Sequence, residues 1–326
     1  MRLATVRNGR PDGALVVVAP DGLHAAPAAG IAATMQDALD RWDEVEPALR
    51  ALAARVEAGD APGLAPLAPD RLMAPLPRAW AWLDGSAYPE HGRLMQRAFD
   101  LPPIETDRPL MYQGMSDRWL GPYDDVALPS EEDGIDFEGE FGVVTGEVPM
   151  GVSPADALGR VRLLVQINDW SLRAIAPIEM KTGFGWVQAK PACSAAPFAV
   201  TPDELGDAWR DGRIAAALRI DLNGERFGEV DGAEEMGWGF HDLIAHAART
   251  RSLSASTVIG SGTVSSSRHA EVGSSCLSER RAIDAIAGRP MTPFMRWGDR
   301  VRMEARVGGR SPFGIIDQRV VPANRP

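Results

Sequence analysis

Lysine is nearly absent from this chain of 326 residues: Lys181 and Lys190 are the only two, and arginine carries the remaining positive charge. Cysteine is as scarce, with Cys193 and Cys276 alone. Two cysteines cannot build a four-thiolate zinc ribbon and are too few for a disulfide-stapled scaffold, so a reducing compartment is expected. Positive charge is also short overall, 34 Lys and Arg against 45 Asp and Glu, a net of −11. Neutralising phosphates needs a basic face, so nucleic acid is not expected as a partner and a small molecule is. Long apolar runs are missing too. The opening MRLATVRNGR has no apolar stretch, and the uncharged residues 25–36 are interrupted by Pro27 and Gly30, so a cytoplasmic protein without a membrane span is expected. What remains, 45% hydrophobic and 24% charged, is an ordinary globular composition, long enough to bury a full core.

The chain opens on strand-like residues 3–6 and 15–18, separated by the turn formers Asn8-Gly9 and Pro11-Asp12-Gly13. From Thr34, the residues Met35, Leu39 and Trp42 recur at helical spacing. Pro47 is expected to open a second helical segment, whose stripe Leu49, Leu52 and Val56 continue. Pro62, Pro66, Pro69, Pro75 and Pro77 then crowd a stretch too proline-rich for helix. A small N-terminal domain over 1–75 and a larger one over 78–326 are expected on either side. The larger part reads as short strands punctuated by glycine, among them 140–144 and 161–168, the latter after a helix started by Ser153-Pro154. Residues 219–222 and 225–227 alternate around Asn223-Gly224, a hairpin signal; 241–249 is helical in spacing, and 301–307 with Gly308-Gly309 suggests a closing hairpin. The expected class is α+β, mainly β.

The most informative run is Asp136-Phe137-Glu138-Gly139-Glu140, followed some thirty residues on by Asn168-Asp169-Trp170. Strand residues two apart share a side, which puts Glu138 and Glu140 on one face, with Asp169 as a third acid. Such a group is tolerated if solvated or if a cation neutralises it, and carboxylates without His or Cys suit hard Mg²⁺, Mn²⁺ or Ca²⁺. The E-x-E pattern alone favours a solvated strand edge. Upstream, Asp84 and His91 lie seven apart in a Gly/Pro-containing loop, either surface decoration or a ligand and a general base. Lys190 offers a compact ammonium with a transferable proton in a chain that otherwise uses arginine, unless it is there by chance. Gly260-Ser261-Gly262-Thr263 can bring amides or a hydroxyl to a ligand, and Glu279 follows in Gly273-Ser274-Ser275-Cys276-Leu277-Ser278-Glu279. His241 and His246, five apart, do not share a helical face and read as structural or surface residues.

Taken together and in order, from about Trp82 to Gln318, these motifs resemble the fumarylacetoacetate hydrolase family. The resemblance implies a β-roll catalytic domain, with residues 1 to 75 as a small accessory domain, and usually a homodimer. It implies that Asp84, Glu138, Glu140 and Asp169 hold a divalent metal, Mg²⁺ before Ca²⁺ or Mn²⁺. It makes His91 the residue that activates water, Glu279 the carboxylate that orients it, and Lys190 the stabiliser of oxyanion charge, its pKa lowered by the metal. It also places Thr263 at the substrate carboxylate and Tyr112 in the pocket. In the fumarylacetoacetate-cleaving enzymes of animals a glutamine and a tyrosine follow the Asn-Asp-Trp motif; here Ala176 and Met180 stand there, so either other residues replace those contacts, with Tyr112 and Arg173 as candidates, or the acyl end of the substrate differs. The implied reaction is cleavage of a carbon–carbon bond in a β-diketo acid, fumarylacetoacetate first. The alternatives are an acylpyruvate hydrolase, an oxaloacetate decarboxylase or other 2-oxo acid lyase, an isomerase, and a non-catalytic metal-binding protein.

Overall fold

The computed structural model describes residues 1–99 and 106–323. Its largest sheet runs, in spatial order, Ala65–Pro66, His24–Pro27, Ala14–Val18, Arg2–Val6, Ala199–Val200, Val161–Asn168, Gly139–Thr145, Thr257–Gly260, Ala81–Gly85 and Met111–Gly114, with Ser194–Ala195 alongside Val161–Asn168. A second sheet orders Glu225–Asp231, Ala217–Leu222, Arg300–Arg306, Ile315–Pro322 and Val126–Leu128. Most pairs are antiparallel; Thr257–Gly260 runs parallel to Ala81–Gly85. The architecture is the mainly β, α+β one that the pattern predicts.

The central strands are apolar on both faces because both are covered. In Val161–Asn168, Leu163, Val165 and Ile167 pack with the N-terminal residues Leu3, Val17, Trp42, Val45 and Leu49. Leu164 turns the other way, into a core with Phe141, Val143, Leu218, Ile220 and Met303. Alternating side chains of one strand thus serve two cores, which explains why the run looks continuously hydrophobic in sequence. The N-terminal strands continue the large sheet without a break, joined where Arg2–Val6 pairs with Ala199–Val200.

One expectation is corrected. Pro47 does not open a helix: it lies inside Trp42–Ala58, which starts five residues earlier. The helix tolerates it because Pro47 falls in the second turn, where only the bond to Asp43 is lost. The hairpin at Asn223-Gly224 forms as expected, with φ of 53° and 85° at the two turn residues, the left-handed pair that a two-residue turn demands.

Candidate active site

Asp84, Glu140 and Asp169 come from three different strand regions and meet in the interior, with one oxygen of each lying within 4.8 Å of the others. Asp84 is the penultimate residue of the strand Ala81–Gly85, beside its partner Gly260. A Cβ on Gly260 would stand 2.3 Å from Asp84 Oδ1, so only glycine leaves room for the carboxylate there. Gly262 adopts φ +76° and donates its N–H to Asp84 Oδ1 at 3.0 Å; a Cβ on it would strike the Gly85 carbonyl. Glu140 projects from Gly139–Thr145, and Asp169 follows Val161–Asn168 directly. Asn168 accepts the Glu138 N–H at 3.0 Å, the Asp169 N–H donates to the Glu138 carbonyl, and Trp170 donates to Ser194. Each residue of the Asn-Asp-Trp motif therefore locks the corner that presents Asp169.

Both oxygens of Glu140 are buried and lack a hydrogen-bond partner among the described residues. Burial first, and then the charges of Asp84 and Asp169, push its carboxyl well above the usual range; burial and Asp169 do the same to Asp84. Three crowded, dehydrated carboxylates, one of them with both oxygens unpartnered among the described residues, suit the oxygen donor set that a hard divalent cation requires.

Glu138 adjoins this group without being one of its three mutually close acids; it precedes the strand Gly139–Thr145 and bridges to Cys276. Its Oε1 accepts from Ser171 Oγ at 2.5 Å and Lys190 Nζ at 2.6 Å, with Arg173 Nη2 2.8 Å away, and its Oε2 accepts from Thr263. Burial opposes its ionisation, but Arg173, Lys190 and His91 outweigh that and hold its carboxyl far below the usual range. Thr263 and Arg173 are thus committed to Glu138, and Arg173 also donates to Asp136 at 2.9 Å.

Lys190 bridges Glu138 and Asp169, at 2.6 and 2.5 Å. Burial works against the ammonium, yet Asp169 and Glu138 push its pKa up. Tyr112 donates its hydroxyl to Asp169 Oδ2 at 2.7 Å, and Cys193 Sγ stands 2.9 Å from Asp169 Oδ1. Burial pushes the Cys193 thiol up, so it stays a protonated donor and not a nucleophile.

His91 and Glu279 face each other across two packed helices, Pro89–Phe99 and Leu277–Ile286, with His91 Nδ1 3.8 Å from Glu279 Oε1. His91 Nδ1 is buried and has no hydrogen-bond partner among the described residues. Glu279 is buried and accepts from Ser265. Alternate hydroxyls of one loop therefore reach in series: Ser261 accepts the Phe141 N–H, Thr263 serves Glu138, and Ser265 serves Glu279.

The family model described as "Fumarylacetoacetate (FAA) hydrolase C-terminal" matches residues 81–321, and that described as "Fumarylacetoacetase N-terminal domain 2" matches residues 1–78. The chain belongs to the fumarylacetoacetate hydrolase family. Among curated relatives, the 2,4-didehydro-3-deoxy-L-rhamnonate hydrolase of Sphingomonas sp. (strain SKA58) is 31% identical over 49% of this chain and 54% of its own. The human mitochondrial oxaloacetate tautomerase FAHD2A is 26% identical over 48% of each. The chain spans about half the length of these relatives. Among solved structures, maleylpyruvate hydrolase from Sphingobium sp. SYK-6, in complex with manganese(II) and pyruvate, aligns over 99% of this chain and 100% of that one, with a TM-score of 0.67 and 18% identity. That likeness shows the shared fold.

Three side chains around this family site escaped the sequence reading. Asp136 accepts the Leu277 and Ser278 N–H groups at 2.7 and 2.9 Å, capping the helix that carries Glu279. It stood in the quoted run, but nothing in sequence links residue 136 to a helix 141 positions away. Ser171, two residues after Asp169, had no signal beyond that proximity. Trp186 stacks edge-on against Tyr112, with ring centres 4.8 Å apart. No helix among the described residues is long and apolar enough to cross a membrane.

Proposed function

We propose that this protein is a metal-dependent hydrolase that cleaves a carbon–carbon bond in a diketo acid by water attack, with fumarylacetoacetate and the acylpyruvates as the candidate substrates. The observation that carries the reading is the pairing of a buried acid triad, in which Glu140 has no hydrogen-bond partner among the described residues, with a His–Glu dyad tied to the same loop. Asp84, Glu140 and Asp169 would hold the cation, with Mg²⁺ or Mn²⁺ suited to the all-oxygen donor set and Ca²⁺ as the alternative. Such an ion supplies Lewis-acid polarisation of the substrate's oxo-acid oxygens. The chain's own groups do the proton work. His91 takes a proton from water at its outer ring nitrogen, while Glu279, facing Nδ1, fixes the tautomer and compensates the imidazolium. Lys190, kept as an ammonium, donates toward the oxyanion that forms at the attacked carbonyl. Glu138 does not ligate in this scheme; it anchors Lys190 and Arg173.

The similarity to oxaloacetate tautomerases favours a second reading, in which the same dyad shuttles a proton between carbon and oxygen and no carbon–carbon bond breaks. One comparison separates the two. With Mn²⁺ present, the protein should hydrolyse a diketo acid with loss of its ultraviolet absorbance, and His91→Ala should lower kcat about 10²- to 10⁴-fold. Oxaloacetate enol–keto exchange faster than any diketo acid cleavage would replace the hydrolase reading with the tautomerase one. Metal binding without turnover of either substrate would leave a non-catalytic metal protein.

A further inference from the structure

Residues 176–189 connect the Asn-Asp-Trp corner to Lys190, and they carry apolar side chains into water. Ile178, Met180, Phe184 and Val187 are 68%, 57%, 98% and 81% exposed. The segment is nevertheless firmly tied. Glu179, in the helix Ala176–Thr182, accepts from three successive backbone N–H groups, those of Val187 at 3.1 Å, Gln188 at 2.9 Å and Ala189 at 3.0 Å. This clamp folds the loop back on its helix and delivers the chain to Lys190 in a fixed direction.

Within the loop, Trp186 is turned toward the acid cluster. Its ring meets Tyr112 at an interplanar angle of 63°, and Lys190 Nζ lies 5.4 Å from its centre. Tyr112 in turn donates to Asp169. Trp186 is half-buried, so part of the indole stays available to a molecule lying against Tyr112 and Lys190. The two cations that contact the cluster are already spent: Arg173 on Asp136 and Glu138, Lys190 on Glu138 and Asp169. A substrate with a second carboxylate at its far end meets no uncommitted positive group among the side chains touching the cluster. It meets an aromatic wall instead.

We propose that Trp186 is the specificity-determining residue of this site, and that it selects 2,4-dioxo acids whose acyl end is an uncharged alkyl or aryl group. The inference rests on the hydrolase reading and narrows its substrate class. The reaction balances without a redox partner. Water oxygen bonds to C4 as the C3–C4 bond breaks, one water proton ends on C3 to give the methyl group of pyruvate, and the other leaves as the new carboxylic acid ionises. An indole face favours a neutral chain by burying its apolar surface, and disfavours a carboxylate that would lose its water without a counter-charge.

The test is kcat/KM for two Mn²⁺-supported substrates of equal length, a 2,4-dioxo acid ending in a propyl or phenyl group and one ending in a carboxylate, with wild type, Trp186→Phe and Trp186→Ala. Wild type should prefer the uncharged acid by about tenfold or more, a discrimination that an apolar pocket contact supplies. Trp186→Phe should keep the preference, and Trp186→Ala should collapse it, chiefly through KM for the uncharged acid. A wild-type preference for the carboxylate-ended acid overturns the proposal and leaves the hydrolase reading standing. So does an equal loss on both substrates in Trp186→Ala, which would make the indole a mere support for Lys190. If neither acid is cleaved, the hydrolase reading fails; calorimetric affinities of the same two acids for the Mn²⁺-loaded wild type and Trp186→Ala then decide the selectivity by the same criterion.

Discussion

Asp136 and Glu138 on one side of the acid cluster, and Asp84 and Glu140 on the other, are all buried, yet the protein supplies countercharge chiefly to the first pair. Asp136 receives two helix N–H groups and Arg173; Glu138 receives Ser171, Thr263, Lys190 and Arg173. Asp84 receives a single backbone N–H, and Glu140 has no hydrogen-bond donor among the described residues. All four are buried to a similar degree, so the contrast is not one of burial. It separates carboxylates that the chain itself neutralises from carboxylates that it leaves without a countercharge, the pair that the proposed function assigns to a cation brought from outside.

The sharpest way to break this contrast is to remove the cation that the two acids of the self-sufficient side share. Arg173→Met leaves Asp136 without a countercharge and Glu138 with Lys190 alone, and breaking a buried pair on one side costs about 3–5 kcal/mol. The loss should appear in urea unfolding with and without added Mn²⁺, because Arg173 answers to the fold and not to the ion. A loss below about 1 kcal/mol would mean that the two regions are not distinct in this way.

Glu140→Gln probes the other side and should give the opposite pattern. The amide keeps the shape and removes a charge crowded by Asp84 and Asp169, so in chelator the melting temperature should rise. The further rise caused by Mn²⁺ should vanish, with metal affinity down at least about a hundredfold, since even partners outside the ligand shell cost 10–100-fold. A variant that melts lower in chelator, or still gains from Mn²⁺, would show that Glu140 is held by something other than an ion.

The same division decides what the sequence could reveal. Strands and turns were legible because their signals are local: 161–168 reads as a strand from its own residues, and Asn223-Gly224 as a turn from its own conformational freedom. Asp84, Glu140 and Asp169 were legible as acids in odd places. Glu138 was legible as an acid but not in the partners that hold it. Its partners Thr263 and Lys190 lie 125 and 52 positions away, and the capping of the Glu279 helix by Asp136 spans 141. Pairings of that range exist only after the sheet has closed. Trp186 stayed invisible for a related reason: a tryptophan among glycines reads as a loop residue until Glu179 has folded that loop onto Lys190.

Glu179 extends the comparison to an exposed carboxylate neutralised by backbone alone. The N–H groups of Gln188, then Ala189, lower its pKa from the ordinary 4.5. A carboxylate lowered on folding contributes stability that is fully present above 4.5 and is lost as the pH falls through the lowered value. The effect should be local, because the group is solvated and the clamp spans a single loop. Hydrogen-exchange protection of the Val187, Gln188 and Ala189 amides should therefore drop a few-fold as the pH is taken below 4.5, while the central strands keep theirs. In Glu179→Gln the same amides should be weakly protected at neutral pH, with no step on acidification, because an amide oxygen accepts less strongly than a carboxylate and does not titrate. Unchanged protection in that variant would show that the loop is ordered by the contact of Trp186 with Tyr112 instead, and would move the loop from the class of charge-held elements to that of packed ones.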